Sequence, residues 1–208
     1  MKKLLIAALL STIAFAYAEG TPKALLFMRS GSADLEFMLK QEVMVMNNTL
    51  ERSGFKVVVA TLDGSDFSAG SVTVKADLKL GEAKVADYAG FILPCMMVAS
   101  YPEPEVSNEA LNLVRDFVAA GKPVAAQTGS LWTLARAGLL KGKKYAYPFE
   151  EKSPRFEGAI FGGTGVVRDG LILTSALCPH MARTMKTKDG TEGLALALAE
   201  AMKENKTK

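Results

Sequence analysis

Short unbroken apolar runs alternate along this chain with segments whose apolar residues fall three and four apart. The runs at 23–28 (K-A-L-L-F-M), 55–62 (F-K-V-V-V-A-T-L), 90–94 (G-F-I-L-P) and 124–127 (V-A-A-Q) have the length and continuity of strands covered on both faces. Between the first two, Leu35, Met38, Leu39, Val43, Met46 and Leu50 form one stripe of a helix over 34–53. Ser32 or Asp34 is its candidate cap and Gly54 its stop. Segments 108–120, 131–137 and 190–203 read as further helices, the first capped by Ser107. Short strands are expected at 72–74, 78–80, 145–147, 165–167 and 171–175, with Arg168-Asp169-Gly170 as a tight turn between the last two. Alternating strands and helices predict an α/β domain, with a mostly parallel sheet and helices on both faces. Ligands of such sheets bind beyond the carboxyl ends of the strands. The loops after Met28, Pro94, Gln127 and Ser175 are therefore where chemistry is sought.

The first 18 residues read as a separate object. Lys2 and Lys3 precede an apolar run over 4–16, followed by Ala16-Tyr17-Ala18, a small-x-small cleavage pattern. This is the pattern of a secretory signal peptide, too short to span a bilayer comfortably. The expectation is a chain exported to the periplasm or secreted, with residues 19–208 as one domain and no membrane attachment after cleavage. The formal charge is +3 over 208 residues, and no Lys/Arg cluster is interleaved with aromatics, so nucleic acid is not expected as a partner. Export places the two cysteines, Cys95 and Cys178, in an oxidising compartment, where a pair tends to become a disulfide.

Gly121 to Pro148 reads G-K-P-V-A-A-Q-T-G-S-L-W-T-L-A-R-A-G-L-L-K-G-K-K-Y-A-Y-P, preceded by D-Y-A-G-F-I-L-P at 87–94 and followed by R-D-G-L-I-L-T-S at 168–175. In order and wording these segments resemble the ThiJ/PfpI family of the class I glutamine amidotransferase-like superfamily, over about residues 23–202. The resemblance implies a flavodoxin-like three-layer α/β/α sandwich and a homodimer. In that family a Cys stands on the elbow between a strand and a helix, often with His beside it. A Glu from the first loop leans on it, and a Gly pair after the middle strand supplies oxyanion-stabilising N–H groups. Carried over by position, Glu36 matches the Glu, Thr128 stands for the Cys, Gly129 for the His, and Cys95 and Met96 for the Gly pair. The acid is kept; the nucleophile and its neighbour are gone.

A hydroxyl at 128 needs a base to act as a nucleophile, and the plainer reading is that Thr128 or Ser130 caps the following helix. Trp132 reads as packing. The resemblance brings the loops holding Cys95 and Cys178 to one end of the sheet, which leaves three readings open. A Cys95–Cys178 disulfide would stabilise the fold by roughly 4–5 kcal/mol on the chain-entropy model. Two thiolates, His180 and Met thioethers would suit copper or zinc. A relocated thiol with His180 as base would be an enzyme of the hydrolase, glyoxalase or deglycase kind. Without thiol catalysis, the pocket of Glu36, Cys95, Met96, Thr128, Gly129, Cys178 and His180 would hold a small-molecule ligand, a metal or a partner, or be redox-linked. Arg183, Lys186 and Lys188 read as a solvated basic loop, and Gly162-Gly163-Thr164-Gly165 as a turn.

Overall fold

The structure is a computed structural model that describes residues 20–98, 106–150 and 154–206. The leader-like segment lies outside these residues. The strands are β1 (Lys23–Phe27), β2 (Lys56–Thr61), the hairpin β3 (Phe67–Ala69) and β4 (Val72–Val74), β5 (Leu78–Lys79), β6 (Gly90–Leu93), β7 (Val124–Gln127), β8 (Lys144–Ala146), β9 (Ile160–Gly163), β10 (Val166–Asp169) and β11 (Ile172–Ser175); all but β3 and β9 were expected from the sequence. The main sheet has seven strands in the order β10-β11-β7-β6-β1-β2-β5. All its pairings are parallel except β10 with β11.

Alternation along the buried strands divides the core in two. Ala24 and Leu26 of β1 face one layer with Ile92, Ala125 and Leu173, while Leu25 and Phe27 face the other with Phe91, Leu93 and Ala126. The first layer is covered by Leu39, Val43, Met46 and Leu50 and by α6 (Thr191–Lys206) through Leu194, Leu198 and Met202. The second is covered by α3 (Asn108–Ala119) and α4 (Leu131–Arg136) through Val114, Phe117, Leu131 and Leu134. This is the expected three-layer sandwich. Trp132 belongs to its core, 3% exposed and 6.5 Å from the Phe156 ring.

Several local readings are corrected. The helix over 34–53 is not one regular α-helix: α1 (Leu35–Met38) and α2 (Met44–Arg52) flank a π-helical stretch, Leu39–Val43. Neither Ser32 nor Asp34 caps it by a side-chain bond; Asp34 instead accepts from Arg183 at 2.9 Å. Ser107 does cap α3, accepting from the Ala110 amide at 3.2 Å. Gly162-Gly163 lies in β9, which pairs in parallel with β8, rather than in a turn. The segment after β11 is not a loop but a short helix, α5 (Pro179–Met185), begun by a proline in its first turn. Among the described residues, no helix is long and apolar enough to cross a membrane.

Candidate functional site

The carboxyl ends of β6, β7 and β11 converge on the elbow after Gln127. Thr128 opens a short 3-10 turn leading into α4, and its φ is +40°. A β-branched residue pays for such a backbone; sparsely populated conformations of this kind cost about 1–3 kcal/mol and persist only where the surroundings enforce them. Enforcement here is visible. Thr128 Oγ1 donates to the Ala176 carbonyl at 2.9 Å, and Gln127 Nε2 donates to the Leu177 carbonyl at 2.8 Å and to Thr191 Oγ1 at 3.0 Å. Ser130 Oγ donates to the Pro94 carbonyl at 2.5 Å. Neither Thr128 nor Ser130 caps α4, as the sequence suggested; each ties the elbow to a neighbouring loop.

Thr128 and Gln127 thereby fix the loop that carries Cys178. Both cysteines are buried, free thiols rather than a disulfide, and they share one small apolar cluster with Met38. The two sulfurs are electrostatically unequal. Hydrogen bonding to Cys178, then burial, pushes the Cys95 thiol well up. The same bond pulls Cys178 down, helped by the Met181 amide in the first turn of α5, against the opposing effects of burial and of the Glu42 carboxyl. The hydrogen bond between the sulfurs thus raises Cys95 and lowers Cys178, which makes Cys178 the more acidic thiol. Cys95 Sγ also accepts from the Gly129 amide at 3.4 Å. A β-carbon at Gly129 would lie 3.3 Å from both Cys95 Sγ and Arg29 Nη2, so the site is closed over the position where the family often has His.

The acid at this site is Glu42, which sequence reasoning missed. Its Oε1 accepts from the Cys95 amide and its Oε2 from the Met96 amide, each at 2.8 Å. Met96 and Met97 both have positive φ, at 56° and 48°, which turns this loop back toward the π-helical stretch carrying Glu42. The two amides standing where the family has oxyanion-stabilising N–H groups are thus already taken by a carboxyl group. Complete burial, then the nearby Cys95 sulfur, raises Glu42 well above the ordinary carboxylate range, and its two amide donors offset only part of this. The signal was present in the sequence: Glu42 falls three residues after Leu39 and four before Met46, inside the apolar stripe.

Glu36, by contrast, is not brought to the site. Its side chain is 43% exposed and paired with Lys40 at 2.5 Å. The Lys40 hydrogen bond, then its charge and the Ser71 amide, lower its pKa. It packs so directly on Gly70, between β3 and β4, that a β-carbon there would lie 2.1 Å from Oε2. Glu36 joins α1 to the hairpin. His180 is also set apart: Nδ1 lies 3.3 Å from Arg183 Nη2, and Arg183 stacks on Phe37 at 4.1 Å while pairing with Asp34. Among the described residues, no three His, Cys, Asp or Glu side chains converge as metal ligands. The methionine of the proposed donor set, Met38, does share the cluster of the two thiols, whereas the His180 ring makes its hydrogen bond to Arg183 rather than to either sulfur.

A family model for DJ-1/PfpI matches residues 22–187. The chain belongs to the DJ-1/PfpI family. An uncharacterized protein of Archaeoglobus fulgidus is 34% identical over 106 residues, half of this chain, and the match spans 61% of that relative, under two thirds of its length. Drosophila melanogaster DJ-1beta superposes with a TM-score of 0.62 at 25% identity, over 89% of this chain and 93% of its own. A ThiJ/PfpI domain protein of Brachyspira murdochii superposes with a TM-score of 0.63 at 17% identity, over 89% and 99%. Within the DJ-1/PfpI fold, this chain keeps the strained elbow, closes it with a hydroxyl, and carries its thiols on the two neighbouring loops.

Proposed function

We propose that this DJ-1/PfpI protein is an exported thiol-redox protein in which Cys178 and Cys95 form a reversible couple, in place of cysteine hydrolase, glyoxalase or deglycase chemistry at the elbow. One observation carries the reading: the two free thiols lie buried in one small cluster with Met38, while the elbow hydroxyl is bonded to the Ala176 carbonyl. The leader-like segment supports an oxidising compartment.

Cys95 and Cys178 are 4% and 1% exposed, so the fitting oxidant is small, a hydroperoxide rather than a protein disulfide. The Cys178 thiolate attacks the outer peroxide oxygen, the O–O bond breaks, and the alcohol or water leaves after taking a proton. The resulting sulfenic acid is attacked by Cys95; its hydroxyl leaves as water with the Cys95 proton, and the disulfide forms. A cellular thiol returns the pair to dithiol by exchange.

Intact mass spectrometry of reduced protein before and after dilute hydrogen peroxide tests this. The expected product has lost two hydrogens, resists alkylation after denaturation, and reverts with dithiothreitol. Cys178→Ser abolishes that product, and His180→Ala leaves it unchanged. Two alkylatable thiols after peroxide treatment would overturn the reading, as would loss of the product in His180→Ala.

A further inference from the structure

Two residues beyond β1, Arg29 turns inward between the elbow and the loop after β6. It is 8% exposed, and its one hydrogen bond among the described residues runs from Nη2 to the Cys95 carbonyl at 2.6 Å. Nε and Nη1 are buried without a hydrogen-bond partner among the described residues, and no carboxylate there forms an ion pair with it. A guanidinium does not give up its proton in a protein, and a buried charge without a counter-charge is costly. Glu42 does not supply that counter-charge by contact: both of its oxygens are engaged by backbone amides.

Arg29 lines a cavity of about 70 Å³ together with Ser30, Val98, Val106, Ser107 and Thr133. Thr133 Oγ1, from α4, is a second buried polar atom without a partner among the described residues. Ser107 begins α3, whose 12 residues put the positive end of a helix dipole at the same wall. The rest of the wall is apolar. Two unpaired donor groups beside apolar side chains suit a planar anion with a short hydrocarbon end. At about 70 Å³ the space holds a few water molecules, a scale that suits formate or acetate.

We infer that this cavity is a binding site for a small monocarboxylate, its oxygens taken by the Arg29 guanidinium and the Thr133 hydroxyl. The site goes beyond the thiol couple and does not need it, so Cys178→Ser protein still binds.

The test titrates folded protein with sodium acetate and formate, using sodium chloride and phosphate at matched ionic strength as controls. Two signals are read: fluorescence of Trp132, the chain's single tryptophan and the neighbour of Thr133, and the thermal midpoint. Both should change saturably with the carboxylates and not with chloride. Thr133→Val should weaken binding about tenfold, as expected for one hydrogen bond to a charged ligand. Arg29→Met should abolish it, and that variant should fold without loss of stability in carboxylate-free buffer, because an unpaired buried charge has been removed. A response identical in chloride, a stronger response to phosphate, or unchanged binding in Thr133→Val would overturn the site.

Discussion

The elbow and the rim beside it divide the features expected of one reactive centre. At the elbow the backbone is strained, with Thr128 at φ +40°, but its side chain offers only a hydroxyl already bonded to a carbonyl. At the rim Cys178 sits in ordinary extended backbone at the start of α5, with φ −76° and ψ 166°, and carries the more acidic sulfur. Strain therefore survives where no reactive atom remains, and the reactive atom occupies an unstrained site. What links them is hydrogen bonding: Gln127 and Thr128 hold the loop at 176–178 in place. In this chain the elbow acts as a clamp on the rim.

The largest expected effect is at the acid beneath both regions. Glu42→Ala leaves the Cys95 and Met96 amides without acceptors and should cost on the order of 3 kcal/mol in urea unfolding. The sign of the pH effect follows from the raised pKa of Glu42. Its neutral form is favoured by folding, so its contribution is full below the ordinary carboxylate pKa and is lost as pH rises through the raised folded value. Glu42→Gln should flatten that decline toward alkaline pH, and an unchanged slope would sever Glu42 from the site.

Next is the clamp. Thr128→Val removes the hydroxyl but keeps the strain, and should cost about 1–2 kcal/mol. Thr128→Gly loses the same bond but relieves the backbone, so the two effects largely cancel and the change should stay within about 1 kcal/mol. Equal losses in both variants would mean that the strain is not stored at this residue. The smallest effect is predicted for Glu36→Gln: it breaks an exposed pair with Lys40 and leaves the Cys178 titration where it was. A shifted thiol pKa in that variant would return Glu36 to the site.

Much of this was legible in the sequence, and the failures share a cause. The strands at 23–28, 90–94 and 124–127 were readable because parallel strands buried on both faces are unbroken apolar runs. The gathering of Cys95, Thr128 and Cys178 followed from placing their loops at one end of one sheet. The acid was misplaced because Glu36 was matched by its position just after the first loop, whereas the acid that is used lies farther along, in the π-helical stretch Leu39–Val43. The side chain that reaches the loop after β6 is Glu42, six positions on. Helix α5 was missed because seven residues are too few to show a period, and β9 because two glycines read as a turn. Arg29 carried no sequence signal, since its burial depends on contacts with Cys95 and Gly129, distant in the chain.

The central claim is that the acidic thiol of this protein is Cys178, paired with Cys95. The most direct measurement is a thiolate absorbance titration of the reduced protein alongside Cys95→Ala and Cys178→Ser. The account predicts one thiolate forming below the ordinary cysteine range, lost in Cys178→Ser and shifted upward in Cys95→Ala. Two thiols titrating together at or above that range, or an acidic step that persists in Cys178→Ser, would contradict it.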